Sequence, residues 1–111
     1  TKALKKGLND LQAATMWLMQ NAMARPENAG AASTDYLHLF GLVSLGYMWG
    51  LMVKTAQAKL ADGAGDQAGF YENKVTTGRY FMERVMPESA AHLARISTGC
   101  DTMMALPAEA F

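Results

Sequence analysis

At 111 residues the chain suits one domain with a single modest core. Ten Lys and Arg balance ten Asp and Glu, so no long-range field recommends nucleic acid or an anionic bilayer as a partner. The single cysteine, Cys100, excludes an internal disulfide, and nothing at the N-terminus joins a basic head to an apolar run and a cleavage site; a reducing, cytoplasmic setting is expected.

The first helix is predicted over about residues 3–24. Leu4, Leu8, Leu11, Thr15, Leu18 and Ala22 recur at alternating spacings of four and three, and Met16, Met19 and Met23 widen that stripe on one side. Nine Met against four Phe in the whole chain read mainly as adaptable packing. Lys2, Lys5 and Lys6 fall in the first two turns, where positive charge opposes the helix dipole, and no capping box precedes them. The chain is therefore expected to be cut from something longer. Arg25 to Gly30 reads as the break, with Pro26 disfavouring helix in the residue before it.

The second helix is predicted over about residues 34–60, with Ser33, Thr34 and Asp35 supplying cap oxygens and first-turn charge. From Tyr36 to Val53 it carries eighteen residues without one acidic or basic side chain. As a helix this stretch is roughly 27 Å long, close to the ~30 Å hydrocarbon core of a bilayer. Three glycines, two tyrosines, His38 and Ser44 lower its apolarity, and the flanking segments supply apolar faces that need a partner. A spine enclosed on all sides by a soluble bundle is the expected role, rather than a transmembrane span.

Ala61 to Gly69 reads as a loop, and a third helix is predicted over about 68–86. Pro87 suits the first position of a short fourth helix, about 87–98, closed by Gly99; Pro107 to Phe111 reads as an extended tail. No alternating strand pattern occurs. The expected fold is all-α, an antiparallel bundle of three long helices and a short fourth, forming a single domain over 1–111.

Few residues suggest chemistry. His38 and His92 have no second ligand one turn away, so a metal site is not expected, and His38 reads as a hydrogen-bonded residue near the start of the spine. Ser44, mid-helix among apolar neighbours, is expected to bond the carbonyl one turn back. Gly63, Gly65 and Gly69 lack the strand and the Lys-Ser/Thr pair of a phosphate loop. Gly46 and Gly50 have the spacing that lets a neighbouring helix cross closely. Lys74 lies inside the apolar face of the third helix and must snorkel, pair with a carboxylate such as Asp35 or Glu88, or meet a ligand. Trp17 and Tyr80 are expected to project from polar faces, which with Lys74 makes them the candidate interface residues.

Two segments resemble a known family. They are RPENAGAASTDYLHLFGLVSLGYMWGLMVKTA (Arg25 to Ala56) and FYENKVTTGRYFMERVMPESAAHLARISTGCDTMMALPAEAF (Phe70 to Phe111). Together they are similar to the C-terminal helical extension of bacterial acyl-CoA dehydrogenases, in the subgroup that includes 3-methylmercaptopropionyl-CoA dehydrogenases. The resemblance implies a parent flavoenzyme that removes hydrogens from Cα and Cβ of an acyl-CoA thioester, FAD taking the hydride and a carboxylate the proton. The family's flavin and thioester sites lie in an upstream body whose motifs are absent here. Neither Glu83 nor Glu88 then inherits the catalytic role, and no catalytic, cofactor-binding or metal residue is expected in this chain. The implied role is a non-catalytic domain that packs on the dehydrogenase body or within a homo-oligomer. Membrane association, suggested by the uncharged helix and by relatives that act at the bilayer, is the alternative. DNA association is weaker still, given zero net charge and no Lys/Arg stripe.

Overall fold

Pro26 decides where the second helix begins. In the computed structural model, which covers residues 1–111, α1 runs Lys2–Asn21 and α2 runs Glu27–Ala61. The expected start near Thr34 is thus corrected by two turns. Pro26 has φ −57° and sits just before the helix, where its missing N–H removes no bond, and Glu27 places a negative charge in the first turn. Ser33 does not cap; its hydroxyl donates to the Gly30 carbonyl at 2.9 Å. Asn28, expected in the turn, instead ties segments together: its amide donates to Asn21 O (3.2 Å) and its carbonyl accepts from the Cys100 N–H (3.1 Å).

After a 3₁₀ turn at Gly65–Gln67, α3 runs Ala68–Tyr80 and continues through a π-helical turn at Phe81–Val85. The bond closing that turn, Met86 N to Phe81 O at 2.9 Å, skips one residue relative to an α-helix. Pro87 explains the widening, because proline can neither donate to the carbonyl four residues back nor tolerate it against its ring. The register shift delivers Met86, 1% exposed, between two glycines: a Cβ at Gly46 would lie 2.7 Å from its Sδ, and one at Gly7 would strike its Cε. Then α4 runs Glu88–Thr98 and stops at Gly99, whose φ of +81° suits glycine. A short α5 (Asp101–Met104) and a 3₁₀ turn at Ala108–Ala110 give the expected tail one helical turn.

Paired contacts set the directions. Thr15 meets the Tyr36 hydroxyl at 2.7 Å, Gly7 lies over Val43, and Leu4 reaches Gly46 and Gly50, so α1 is antiparallel to α2. Asp10 bonds Ser89 and Trp17 packs under Gly99, so α4 runs parallel to α1. Gly78 of α3 faces Val53 and Trp49. The core, Ala14, Ala32, Leu39, Leu42, Val43, Met86 and Ile96, lies where α1, α2 and α4 meet.

The whole measures 67 × 29 × 15 Å with a radius of gyration of 19.0 Å. A compact domain of this length would have about 13 Å. The domain is a long slab no more than two helices thick, and this corrects the expected enclosure of the spine. One side of α2 is core. The other carries Leu37, Phe40, Met48 and Leu51, which are 71%, 52%, 53% and 43% exposed.

Candidate interaction surface

The outer stripe of α2 is built by spacing: Leu37, Phe40, Ser44, Met48 and Leu51 recur at intervals of three and four and share one side. Ser44 adds little polarity, because its hydroxyl donates to the Phe40 carbonyl at 2.8 Å, the back-bond expected from sequence. Leu45 and Tyr47 flank the stripe, 56% and 58% exposed. A contiguous face of this kind, without a charge for eighteen residues, is a surface that needs a cover.

Lys74 stands at the C-terminal end of that face. It pairs with neither Asp35 nor Glu88, which corrects both suggested partners. Its Nζ lies 5.6 Å from the ring centroids of both Trp49 and Phe70. Cation–π attraction at this range holds the ammonium over the rings while its stem lies along apolar surface. Lys74, Phe70, Tyr71, Met48, Leu51 and Met52 line an open apolar groove of ≈ 330 Å³ that prolongs the outer stripe between α2 and α3.

Tyr80 is 62% exposed, as its place on a polar face predicts. Trp17 is not free in that way. It is half-buried against the core, with its ring 3.7 Å from where a Cβ of Gly99 would stand. The helical wheel of α1 could not show this, because α4 packs on a second side of α1 and makes a nominally polar position internal.

Two polar clusters lie at the inner seams. Asp10, 5% exposed, accepts from Lys6 (2.7 and 2.6 Å) and from the Ser89 hydroxyl (2.7 Å), so its burial is compensated on every side. Asp35 accepts from His92 Nδ1 and Arg95 Nε, each at 2.8 Å. A carboxylate only accepts, so His92 Nδ1 carries the proton. His38 makes no hydrogen bond, contrary to expectation; it is exposed and stacks on His92, ring centroids 5.9 Å apart. Sequence reading missed the Asp35 cluster because its members are 57 and 60 residues apart. Neither cluster nor any other gathers three His, Cys, Asp or Glu groups suited to a metal ion. Glu83 pairs with Arg79 at 3.2 Å on the surface, and Glu88 is exposed in the first turn of α4.

The hydrogen bond from His92, reinforced by Arg95, holds the Asp35 carboxyl below its ordinary range although burial opposes this. A depressed carboxylate contributes stability that is fully present above its unfolded pKa and is lost as pH falls through the folded one. Acidification below about pH 4 should therefore destabilise the protein more than the Asp35→Asn variant, and the two should converge at lower pH. Urea midpoints measured from pH 6 to pH 2 check this; parallel curves would refute it.

The family model described as acetyl-CoA dehydrogenase C-terminal like matches residues 1–107. The chain belongs to that family. The domain is also 34% identical over 87 residues to the 3-methylmercaptopropionyl-CoA dehydrogenase of Ruegeria pomeroyi, a match covering 78% of this chain and 14% of that protein. This acetyl-CoA dehydrogenase C-terminal-like domain thus spans about a seventh of the length of its relative.

Proposed function

We propose that this chain is a non-catalytic helical domain of a longer, cytoplasmic, FAD-dependent acyl-CoA dehydrogenase, and that the outer stripe of α2 packs on the dehydrogenase body or across its subunit interface. The parent reaction is α,β-dehydrogenation of an acyl-CoA thioester, with FAD and the accepting carboxylate both held in the body. One observation carries the docking part: an uncharged stripe from Leu37 to Leu51 faces outward from a slab 15 Å thick. Family membership supports the acyl-CoA dehydrogenase parentage, and the single cysteine is what favours the cytoplasmic setting. Lys74 and Tyr80 flank the seat as contact residues, while Trp17 acts by fixing α1 against the turn at Gly99.

The test is a Phe40→Glu/Met48→Glu double variant in the full-length polypeptide. Both sites are solvent-exposed in the domain, so its own fold should tolerate the charges. The expected result is loss of oligomer or a lowered Tm in the full-length protein, with the FAD absorbance of the body retained. Unchanged assembly and Tm would overturn the docking role.

A second reading rests on the same face. By length and composition α2 could cross a bilayer, with a mean hydropathy of 1.4 in its most apolar window, of which 22% is buried. Flotation of the full-length protein with liposomes, abolished by the same double variant, would favour membrane seating over the dehydrogenase body.

A further inference from the structure

A second stripe of α2 faces inward, running from Tyr36 and Leu39 through Val43, Gly46 and Gly50 to Gln57 at spacings of three, four and seven. α1 covers its first part in a regular antiparallel register, Thr15 on Tyr36, Gly7 on Val43 and Leu4 on Gly46 and Gly50. Although Gly78 of α3 packs on Val53, past Gly50 the stripe is no longer covered by α1. It runs into a groove of ≈ 790 Å³ between α2 and α3, closed at one end by Thr1, Ala3 and Leu4 and lined further on by Val53, Gln57 and Val75. The groove therefore continues the track of α1, directly before its first turn.

With Arg79 paired to Glu83, Lys54 is the rim charge left without a partner, and it favours an occupant with an apolar face and an acidic edge.

We infer that in the longer polypeptide the residues preceding Thr1 extend α1 as a helix into this groove, completing a three-helix bundle along α2. This rests on the proposed function only in placing the domain within a longer chain. Contacts of α1 and α2 pair positions whose numbers sum to about 51, so Gln57 should face about the seventh residue upstream of Thr1, some two helical turns away.

Cysteine chemistry on the full-length protein tests the inference, since the native Cys100 is buried. Gln57→Cys should be alkylated about ten-fold more slowly than Asp66→Cys in the exposed 3₁₀ turn. Paired with a cysteine at the seventh upstream position, it should form an intrachain disulfide under mild oxidation, and a cysteine at the fifth, on the opposite side of the helix, should not. Equal alkylation rates would overturn the inference. So would a disulfide between subunits, which would put a second copy in the groove. Dehydrogenase activity and FAD content of the unmodified full-length protein are read separately. Their absence would refute the proposed function and leave the crosslinking result standing.

Discussion

Replacing Gly78 with alanine is expected to destabilise the protein, against the usual direction for a helix interior. Removing a glycine from an exposed helix normally gains about 1 kcal/mol. Gly78 is buried where α3 crosses α2, and a Cβ there would collide with Val53 Cγ2 and lie 3.5 Å from the Trp49 ring. Val53 is branched at Cβ and has one favoured rotamer in a helix, so it cannot swing aside as a long side chain would. The two helices must separate instead. Overpacking of this kind costs about 1–3 kcal/mol, which outweighs the propensity gain. The urea midpoint should fall, and more steeply for Gly78→Leu. A Val53→Ala background supplies the control: there Gly78→Ala should become neutral or stabilising, giving a coupling energy of about 1–2 kcal/mol in a double-mutant cycle. An additive cycle would show that the close approach is not what limits this position.

The second large effect separates two leucines two residues apart. Leu39 is 0% exposed at the centre of the core, and Leu37 is on the outer stripe. Leu39→Ala should cost about 2–5 kcal/mol, the transfer of the three lost carbons being compounded by a cavity that α1 and α4 cannot collapse to fill. Leu37→Ala should change the stability of the 111-residue chain by no more than about 0.5 kcal/mol. In the full-length polypeptide the contrast should narrow, because a body seated on the outer stripe buries Leu37 as well. Urea denaturation of both variants in both contexts measures this. A Leu37→Ala effect that stays near zero in the full-length protein would place the body elsewhere.

These two leucines mark the limit of sequence reading. Periodicity announces that α2 is apolar all round, but it cannot say which half this domain covers and which half awaits another partner, because neither stripe carries a charge from Tyr36 to Val53 and both carry large apolar side chains. Lys74 shows a similar limit. Its place on an apolar face was legible, yet its partners are the rings of Trp49 and Phe70, one on α2 and one on its own helix, chosen by how α2 and α3 cross. Trp17 became internal only because α4 lies parallel to α1. The π-helical turn at Phe81–Val85 had one local sign, Pro87, and the outcome that matters, Met86 seated between Gly7 and Gly46, joins residues from three segments.

What the sequence determined by itself is what depends on local spacing and residue type. The helices, the stop at Gly99, the back-bonded Ser44 and the absence of charge from Tyr36 to Val53 are properties of neighbouring residues along one chain. Its motifs also sufficed for the family, since DYLHLFGLVSLGYMW and the terminal LPAEAF are contiguous. Only the tertiary structure decided the partition of α2 into a covered and an open side, the Asp35–His92–Arg95 cluster, and the groove in line with α1. Each of these depends on which distant surfaces meet, and burial is a property of the assembled slab rather than of any segment in it.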